Sequence, residues 1–316
     1  MTTDPWQLDE FDLAAYLTRI GVAELSPGRQ ALDELQEAHV RAFTFDNIDV
    51  LLETHQGVAL PAVQEKFVAR GRGGYCFEHT TLFAAALERL GYDVTRRLGR
   101  VGEPGLAPRT HAVAIVHLDG QPLLADAGFG MGPLRPIPLE GGAEDEHRGW
   151  RYRVRRAEYG WELQRLREAG WELMHTTDEL TVRPVDVVMG HHFTSTFPGS
   201  HFRSGLMVTK FIEDRHVSLT HQTVTVPAHR ASTAPRRRAG RPAPRAGRAA
   251  HRGRAPAAAR PGRTSVGARV LAGVARLGRE ALGVVLLATG GLLGRRLVSR
   301  VALRSAALGD VPGAVG

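Results

Sequence analysis

The spacing of apolar residues changes from a helical to a strand period at Tyr92, and this change restricts the possible folds. Before it, apolar residues recur every three to four positions, which predicts helices over 13–20, 26–40, 61–68 and 80–90. Ser26 is expected to cap the second of them, with Pro27 in its first turn. After Tyr92 the residues alternate, which predicts strands over 93–101, 110–118, 121–127, 151–155 and 161–167, and a later hairpin of 206–212 and 216–220. Helices followed by a run of strands are typical of the α+β class.

The composition changes abruptly after Val226. Residues 227–316 contain eighteen arginines, no lysine and two acidic residues, so this segment carries +16 and the preceding body carries −8. Such a segment of Arg, Ala, Pro and Gly cannot bury enough apolar surface to offset its chain entropy, and we expect it to be disordered. The pI of 10.4 therefore reflects the tail, and no nucleic-acid binding is predicted for the body. The longest uncharged run in the tail, 281–294, is too short to span a bilayer, so no membrane span is predicted.

Two origins of this tail fit its composition. Arginine without lysine, mixed with Ala, Pro and Gly, is what a GC-rich coding sequence gives when it is read out of frame, and we favour a frameshifted end. A genuine basic extension that contacts nucleic acid or an anionic membrane is the alternative.

Cys76 is the only cysteine of the chain, which excludes an internal disulfide and a multi-cysteine zinc site. A lone thiol fits a reducing cytoplasm, which is the expected location. The first ten residues are acidic and lack an apolar segment, so no secretory signal is expected. His191 and His192 are adjacent, but no cysteine or acidic residue lies at a suitable ligand spacing, and no metal is predicted.

The segment Arg72-Gly73-Gly74-Tyr75-Cys76-Phe77-Glu78 places this thiol near the predicted start of a helix. Two glycines permit a tight turn, and the amides of a helix N-terminus favour a thiolate over a thiol. The pattern therefore makes Cys76 a candidate nucleophile. A lone cysteine near a helix start is more often an inert small apolar residue, and this interpretation stays open on the segment alone.

A second candidate group lies in the hairpin predicted around Asp119-Gly120. If these two residues form the turn, the numbers of opposed residues sum to 239, so Asp126 faces Val113. Side chains alternate along a strand, so His111 lies on the same face, roughly 7–8 Å from Asp126 along the diagonal. A carboxylate in that place can orient an imidazole, and with Cys76 it makes a Cys-His-Asp triad. A structural histidine, a turn aspartate or a register shifted by a bulge remains compatible with the same residues.

Five separated motifs of this chain resemble the arylamine N-acetyltransferase family. They are RGGYCFE at 72–78, the strand of His111, DAGFG at 126–130, the stretch 39–51 with Phe45-Asp46-Asn47-Ile48-Asp49, and STFPGSHF at 195–202. The resemblance covers roughly residues 5–223 and implies that Cys76, His111 and Asp126 form the catalytic triad, arranged as in cysteine proteases. It also implies three units: a helical bundle in 1–90, a β-barrel in 91–185 and an α/β lid, here incomplete, in 186–226.

The resemblance further implies a ping-pong transfer of acetyl from acetyl-coenzyme A, through a thioester on Cys76, to an arylamine, hydrazine or hydroxylamine. It suggests that Phe45 and Phe129 line the acceptor pocket. Gly128 and Gly130 would let backbone amides approach the coenzyme, and Phe202 would contact its nucleotide end. No metal is implied, and the oligomeric state is left unknown. Phe45 and Phe202 have a plainer interpretation as core residues, and the two glycines as turn residues.

The chain departs from the family pattern in two places, at Thr80 and in the lid. Thr80 stands where the family commonly has Asn, and Glu78 is interpreted as a helix cap or as a partner of Arg72. The lid should continue for roughly fifty residues beyond Thr223, where this chain has its basic tail. We therefore expect an unpaired edge on the hairpin that begins at Leu206, lower stability and weaker binding of acetyl-coenzyme A.

Three other functions remain open at this stage. A macrolactam-forming amide synthase would use the same triad on a carrier-bound acyl chain. A cysteine hydrolase of protease or transglutaminase type shares the triad but gives no reason for the other motifs. A non-catalytic relative would lack a triad residue, and none is missing.

Overall fold

A computed structural model describes residues 4–212 and 214–220 and the backbone of 224–225. The predictions for 227–316 therefore lie outside the described residues. The first part of the chain is helical: after one 3-10 turn at Leu8–Glu10 come α1 (Leu13–Ile20), α2 (Arg29–Ala42), α3 (Ile48–Leu52), α4 (Leu60–Gln64) with a π-helical turn at Glu65–Ala69, and α5 (Cys76–Arg89).

Two predicted helix starts are wrong. Helix α2 begins at Arg29 with Gly28 at its N-cap, three residues after Ser26, because both backbone groups of Gly28 are hydrogen-bonded to the Tyr92 hydroxyl. Helix α5 begins at Cys76, four residues before Thr80. The carboxylate of Glu78 accepts a hydrogen bond from the Tyr75 amide at 3.1 Å, and this side-chain cap starts the helix earlier than the apolar pattern indicates.

An eight-stranded antiparallel sheet follows. Its strands, in chain order, are β2 (Asp93–Arg100), β3 (Arg109–Leu118), β4 (Gln121–Ala125), β5 (Ile137–Pro138), β6 (Glu144–His147), β7 (Trp150–Ala157), β8 (Gly160–Arg167) and β9 (Gly170–Thr177). Their spatial order across the sheet is β5-β4-β3-β2-β9-β8-β7-β6. The short strand β1 (Phe45–Asp46) belongs to a second sheet. The sheet curls until its edges are close: β5 and β6 are its two edge strands, yet only residues 139–143 connect them. A helical unit followed by a nearly closed barrel confirms the α+β class.

The predicted register of the β3–β4 hairpin is confirmed. Ala114 pairs with Ala125 and Leu118 with Gln121, so that opposed residue numbers sum to 239. Asp119 and Gly120 have φ angles of 52° and 78°, the left-handed values that a two-residue hairpin turn requires. This register fixes which face of β3 carries His111.

A second sheet covers the helical unit, with the order β1-β10-β11-β12. It contains β10 (Met207–Ile212), β11 (Arg215–Thr220) and β12 (Val224–Thr225), after helices α6 (Pro184–Thr196) and α7 (His201–Ser204). The expected unpaired edge is only partly correct. Phe45 and Asp46 of the early motif pair with β10, and Val224 and Thr225 pair with two residues of β11. The expected loss of stability and coenzyme affinity stays a prediction.

Within the described part of the chain, no helix combines the length and the apolarity that a transmembrane passage requires.

Candidate active site

Cys76 is the first residue of α5 and is buried, with 3% of its surface exposed. Its Sγ lies 3.5 Å from the carbonyl oxygen of Thr110, the residue before His111. The loop in front of it needs its two glycines. A Cβ on Gly73 would overlap the backbone of Thr44, and one on Gly74 would overlap the carboxylate of Glu78. The sequence thus places the thiol at a helix N-terminus against the barrel strand that carries the candidate base.

Buried ion pairs hold the loop 72–75 that precedes Cys76. The carboxylate of Glu78 pairs with Lys66 at 2.7 Å, whereas Arg72 pairs with Asp49 at 2.7 Å. The predicted Glu78–Arg72 pair is therefore wrong, although the predicted capping role of Glu78 is confirmed. Burial is the largest single effect on the pKa of Glu78 and raises it, but Lys66 and His55 together outweigh burial and hold the pKa at about 2. Glu78 is thus an ionised structural anchor for the residues on either side of Cys76.

His111 and Asp126 lie together in the barrel, as the hairpin register predicts. His111 donates from Nε2 to Oδ2 of Asp126 at 3.0 Å, and both side chains are almost fully buried. The Gly128 amide donates to the other carboxylate oxygen at 3.1 Å. Because Nε2 is used in this way, Nδ1 is the nitrogen of His111 left to interact with Cys76, whose influence helps to raise the pKa of His111. The structure therefore places the imidazole between the carboxylate of Asp126 and the thiol of Cys76.

The electrostatics of this group favour a charged imidazole. Burial lowers the pKa of His111, but Asp126 and then Cys76 oppose it and raise the value to about 10. Burial likewise raises the pKa of Asp126, while His111 and His175 bring it well below its usual range. An imidazolium beside the thiol is the state in which the sulfur can exist as a thiolate.

The other predicted site residues surround this group at different distances. The Phe129 ring stands edge-on to the His111 ring, with centroids 5.2 Å apart. Gly130 has a φ of 81° and packs so closely on the Phe45 ring that a Cβ would lie 2.6 Å from it. Phe202 packs on the rings of Tyr75 and Phe45, with centroids 5.3 and 6.2 Å away.

Gly128 lies against Cys76, the candidate nucleophile. A Cβ at Gly128 would stand 3.0 Å from the carbonyl oxygen of Cys76 and 3.2 Å from its Cα. A side chain here would push on the first turn of α5, so the glycine permits the close approach of the two loops. Roles for Gly128, Gly130 and Phe202 in binding a coenzyme remain predictions.

Sequence reasoning missed His175, which donates from Nε2 to the same oxygen of Asp126 at 2.9 Å. Strand β9 was not predicted, although the Gly170 turn after β8 and the alternation that follows it were available signals. It also missed Asn47, whose amide bonds the carbonyls of Phe202 and Gly205 and the amide of Met207. The sequence around His175 or Asn47 does not indicate partners that lie 49 to 155 positions away.

Among the described residues, His111, Asp126 and His175 also place three ligand-type atoms within 4.8 Å of one another. Two imidazoles and a carboxylate suit a divalent metal in principle. An ionised carboxylate accepts only, so each Nε2 that contacts Asp126 carries a hydrogen and is unavailable as a metal ligand in this state. The cluster is therefore accounted for as a hydrogen-bonded group.

Comparison with known proteins settles the relationship. A sequence model of the N-acetyltransferase family matches residues 30–240. The chain is 35% identical to the arylamine N-acetyltransferase / N-hydroxyarylamine O-acetyltransferase of Salmonella typhimurium over 207 residues, 64% of this chain and 74% of that protein. This chain belongs to the arylamine N-acetyltransferase family. It is an acyltransferase.

Solved members of the family share the fold. The arylamine N-acetyltransferase of Mycobacterium abscessus matches with a TM-score of 0.67 and 35% identity, covering 71% of this chain and 83% of that one. The Mycobacterium marinum enzyme in complex with CoA matches with a TM-score of 0.65 and 35% identity, covering 68% and 83%. A weaker relative is proansamycin X synthase of Amycolatopsis mediterranei, 30% identical over 179 residues, which are 54% of this chain and 68% of that protein.

Proposed function

We propose that this protein transfers an acetyl group from acetyl-coenzyme A to the nitrogen of an arylamine, hydrazine or hydroxylamine, through a thioester on Cys76. The observation that carries the proposal is the buried His111–Asp126 hydrogen bond on the strand against which the Cys76 thiol lies, with its Sγ 3.5 Å from the carbonyl oxygen of Thr110. Membership of the family supports acyl transfer, and a relative solved with CoA supports the coenzyme as donor.

In the first half-reaction the Cys76 thiolate attacks the carbonyl carbon of the acetyl thioester. A carbon–sulfur bond forms to Cys76 and the bond to the coenzyme sulfur breaks. The His111 imidazolium gives its Nδ1 proton to the departing coenzyme thiolate. His111 is then neutral, and Asp126 keeps the Nε2 proton in place, which leaves Nδ1 able to act as a base.

In the second half-reaction the acceptor nitrogen attacks the acetyl-Cys76 carbonyl. Neutral His111 takes the proton that the amine releases, and the thiolate of Cys76 leaves. Phe129 stands beside His111 and Phe45 lies in the same apolar cluster as Cys76, so an aryl ring would meet aromatic walls there. The chain regains its imidazolium and thiolate without a further reactant.

The amide synthase is the second candidate, and proansamycin X synthase among the relatives favours keeping it. Such an enzyme would use the same thioester but take an acyl chain from a carrier protein. The acceptor would then be an amine of the same molecule. The two candidates differ in donor, and acylation by acetyl-coenzyme A favours the acetyltransferase. We further propose a cytoplasmic location, in keeping with a required free thiol.

Intact-protein mass spectrometry after incubation with acetyl-coenzyme A tests the proposal. We expect the wild type to gain one acetyl group, Cys76→Ser to gain none, and an added arylamine to remove the group from the wild type. His111→Gln should be acetylated far more slowly, since it lacks the proton donor. A folded wild-type protein that gains no acetyl group would overturn the proposed donor.

A further inference from the structure

A β-bulge aims His175 at the proposed triad. Leu163 of β8 pairs with His175 of β9, but the next residue, Gln164, pairs with Leu173, so Met174 is an extra residue in β9. One extra residue reverses the face on which the following side chains lie. Because of it, His175 points to the side of the sheet where Asp126 lies, and its imidazole is fully buried there.

A glycine in the intervening strand lets the two imidazoles meet. Gly99 of β2 pairs with His111 of β3 on one side and with Thr177 of β9 on the other. Strands two apart lie about 10 Å apart, yet the rings of His111 and His175 have centroids at 4.6 Å. A Cβ on Gly99 would lie 3.2 Å from the Thr177 hydroxyl and 3.6 Å from Nδ1 of His175. The missing side chain provides the space.

The hydrogen bonds define the state of His175. Asp126 is ionised and accepts only, so Nε2 of His175 carries a hydrogen. Burial and the nearby charge of His111 lower the pKa of His175, so the ring is neutral and its Nδ1 is an acceptor. The Thr177 hydroxyl, 3.1 Å away, donates to that nitrogen. Thr177 therefore fixes both the tautomer and the tilt of the ring.

We propose that His175 is a positioning residue for acyl transfer: as a neutral second donor on Oδ2, locked by Thr177, it holds the Asp126 carboxylate aimed at His111. Both imidazoles donate to the same oxygen, while the Gly128 amide holds the other one. Phe129 packs on both rings, at 5.2 and 5.5 Å, and excludes water from the shared oxygen. The inference rests on the proposed function, because it gives His111 and Asp126 their catalytic roles.

The expected consequence concerns ionisation as well as rate. Without the His175 donor, Asp126 loses one of three hydrogen bonds in a buried site, and its pKa rises. The Asp126 carboxylate is also no longer held towards His111, so the His111 imidazolium has a less well-placed counter-ion and gives less support to a thiolate on Cys76. A residue that only fills space would alter stability and leave the pH dependence of thiolate formation unchanged.

The test measures the rate at which iodoacetamide alkylates Cys76 from pH 5 to 9. His175→Leu should lower the rate at pH 7 by about 10- to 100-fold, the effect of one lost hydrogen bond to a buried ion, and move the acid limb to higher pH. His175→Gln can place an amide donor near the former Nε2 and should recover most of the rate. If His175→Leu does not fold, the Gln variant and the threonine pair below carry the test.

Thr177→Val and Thr176→Val form a matched pair. Thr176 is the neighbouring residue in β9, is equally buried, and has a hydroxyl without a hydrogen-bond partner among the described residues. Thr177→Val should reduce alkylation several-fold, whereas Thr176→Val should leave it unchanged. The same pH profile in His175→Leu, His175→Gln and the wild type, or equal rates in the threonine pair, would overturn the inference.

Alkylation needs no acetyl-coenzyme A, so this result is independent of the donor. A wild type that alkylates with the expected profile but gains no acetyl group would contradict the proposed function and leave the role of His175 in thiolate formation intact.

Discussion

At the scale of single residues, two sets of buried charges surround Cys76. Lys66 contacts Asp49 and Glu78 at 2.8 and 2.7 Å on one side, and Asp126 accepts from two imidazoles on the other. Removing one member of a buried pair leaves an uncompensated charge, at a cost of about 3–5 kcal/mol. The first set holds the loop that precedes Cys76, while the second fixes the hydrogen bonding of His111.

The second set should make stability depend on pH. Burial lowers the pKa of His111 but Asp126 raises it to about 10, against about 6.5 in an unfolded chain. Because the pKa of His111 is raised in the folded state, its protonation stabilises the folded protein fully below a pH of about 6.5. This contribution to the free energy of unfolding is lost as the pH rises to about 10. We expect the free energy of unfolding, measured with urea, to fall between pH 7 and 10 in the wild type. Asp126→Asn should lack most of this fall, and an equal fall in both proteins would contradict the assignment.

At the scale of elements, the lid hairpin of β10 and β11 is hydrogen-bonded to the loop 126–130, which carries the carboxylate of Asp126. The Thr209 hydroxyl of β10 and the His216 imidazole of β11 both donate to the carbonyl oxygen of Gly130, at 2.9 and 2.8 Å. Gly130 closes the segment that begins at Asp126. The described part of the lid thus supports the site.

Asn47 is the residue that fastens this lid to the helical unit. Its buried amide makes three hydrogen bonds of 2.7–2.8 Å to the segment 202–207. Asn47→Ala should lower the free energy of unfolding by about 2–4 kcal/mol, because three partly buried backbone groups lose their partner. Hydrogen exchange should also accelerate in 207–220. As a control, Gln36→Ala removes one buried side-chain hydrogen bond, to the carbonyl of Pro133, and should leave hydrogen exchange in the lid unchanged. Faster exchange in the lid in both variants would refute a local role for Asn47.

The sequence predicted the elements whose causes are local. The Asp119-Gly120 turn set the register of β3 and β4, and this was enough to bring His111 and Asp126 to one face. Strand β9 was missed, and with it the bulge at Met174 that turns His175 inward, since a bulge depends on the partner strand. The partners of Asn47 and Glu78 were also beyond reach, because contacts across 155 residues, or between a helix cap and Lys66, leave no periodic signal.

At the scale of the whole molecule, charge is distributed very unevenly. The formal net charge of the chain is +8, but residues 227–316 contribute +16 and the remainder −8. Attraction to polyanions grows with the number of cationic side chains that can reach phosphates. The binding of this protein to nucleic acid should therefore be a property of the tail and say nothing about the acyltransferase body.

A variant that ends at Val226 separates the two parts. The full chain should bind random-sequence duplex DNA at 50 mM salt and lose about 10³- to 10⁵-fold in affinity by 200 mM, if six to ten phosphates are contacted. The shortened protein, with its formal charge of −8, should show no binding at either salt concentration. Its acetylation by acetyl-coenzyme A, followed by mass, serves as the control for an intact site. Salt-sensitive DNA binding by the shortened protein would mean that the body presents a basic surface, in spite of its net negative charge.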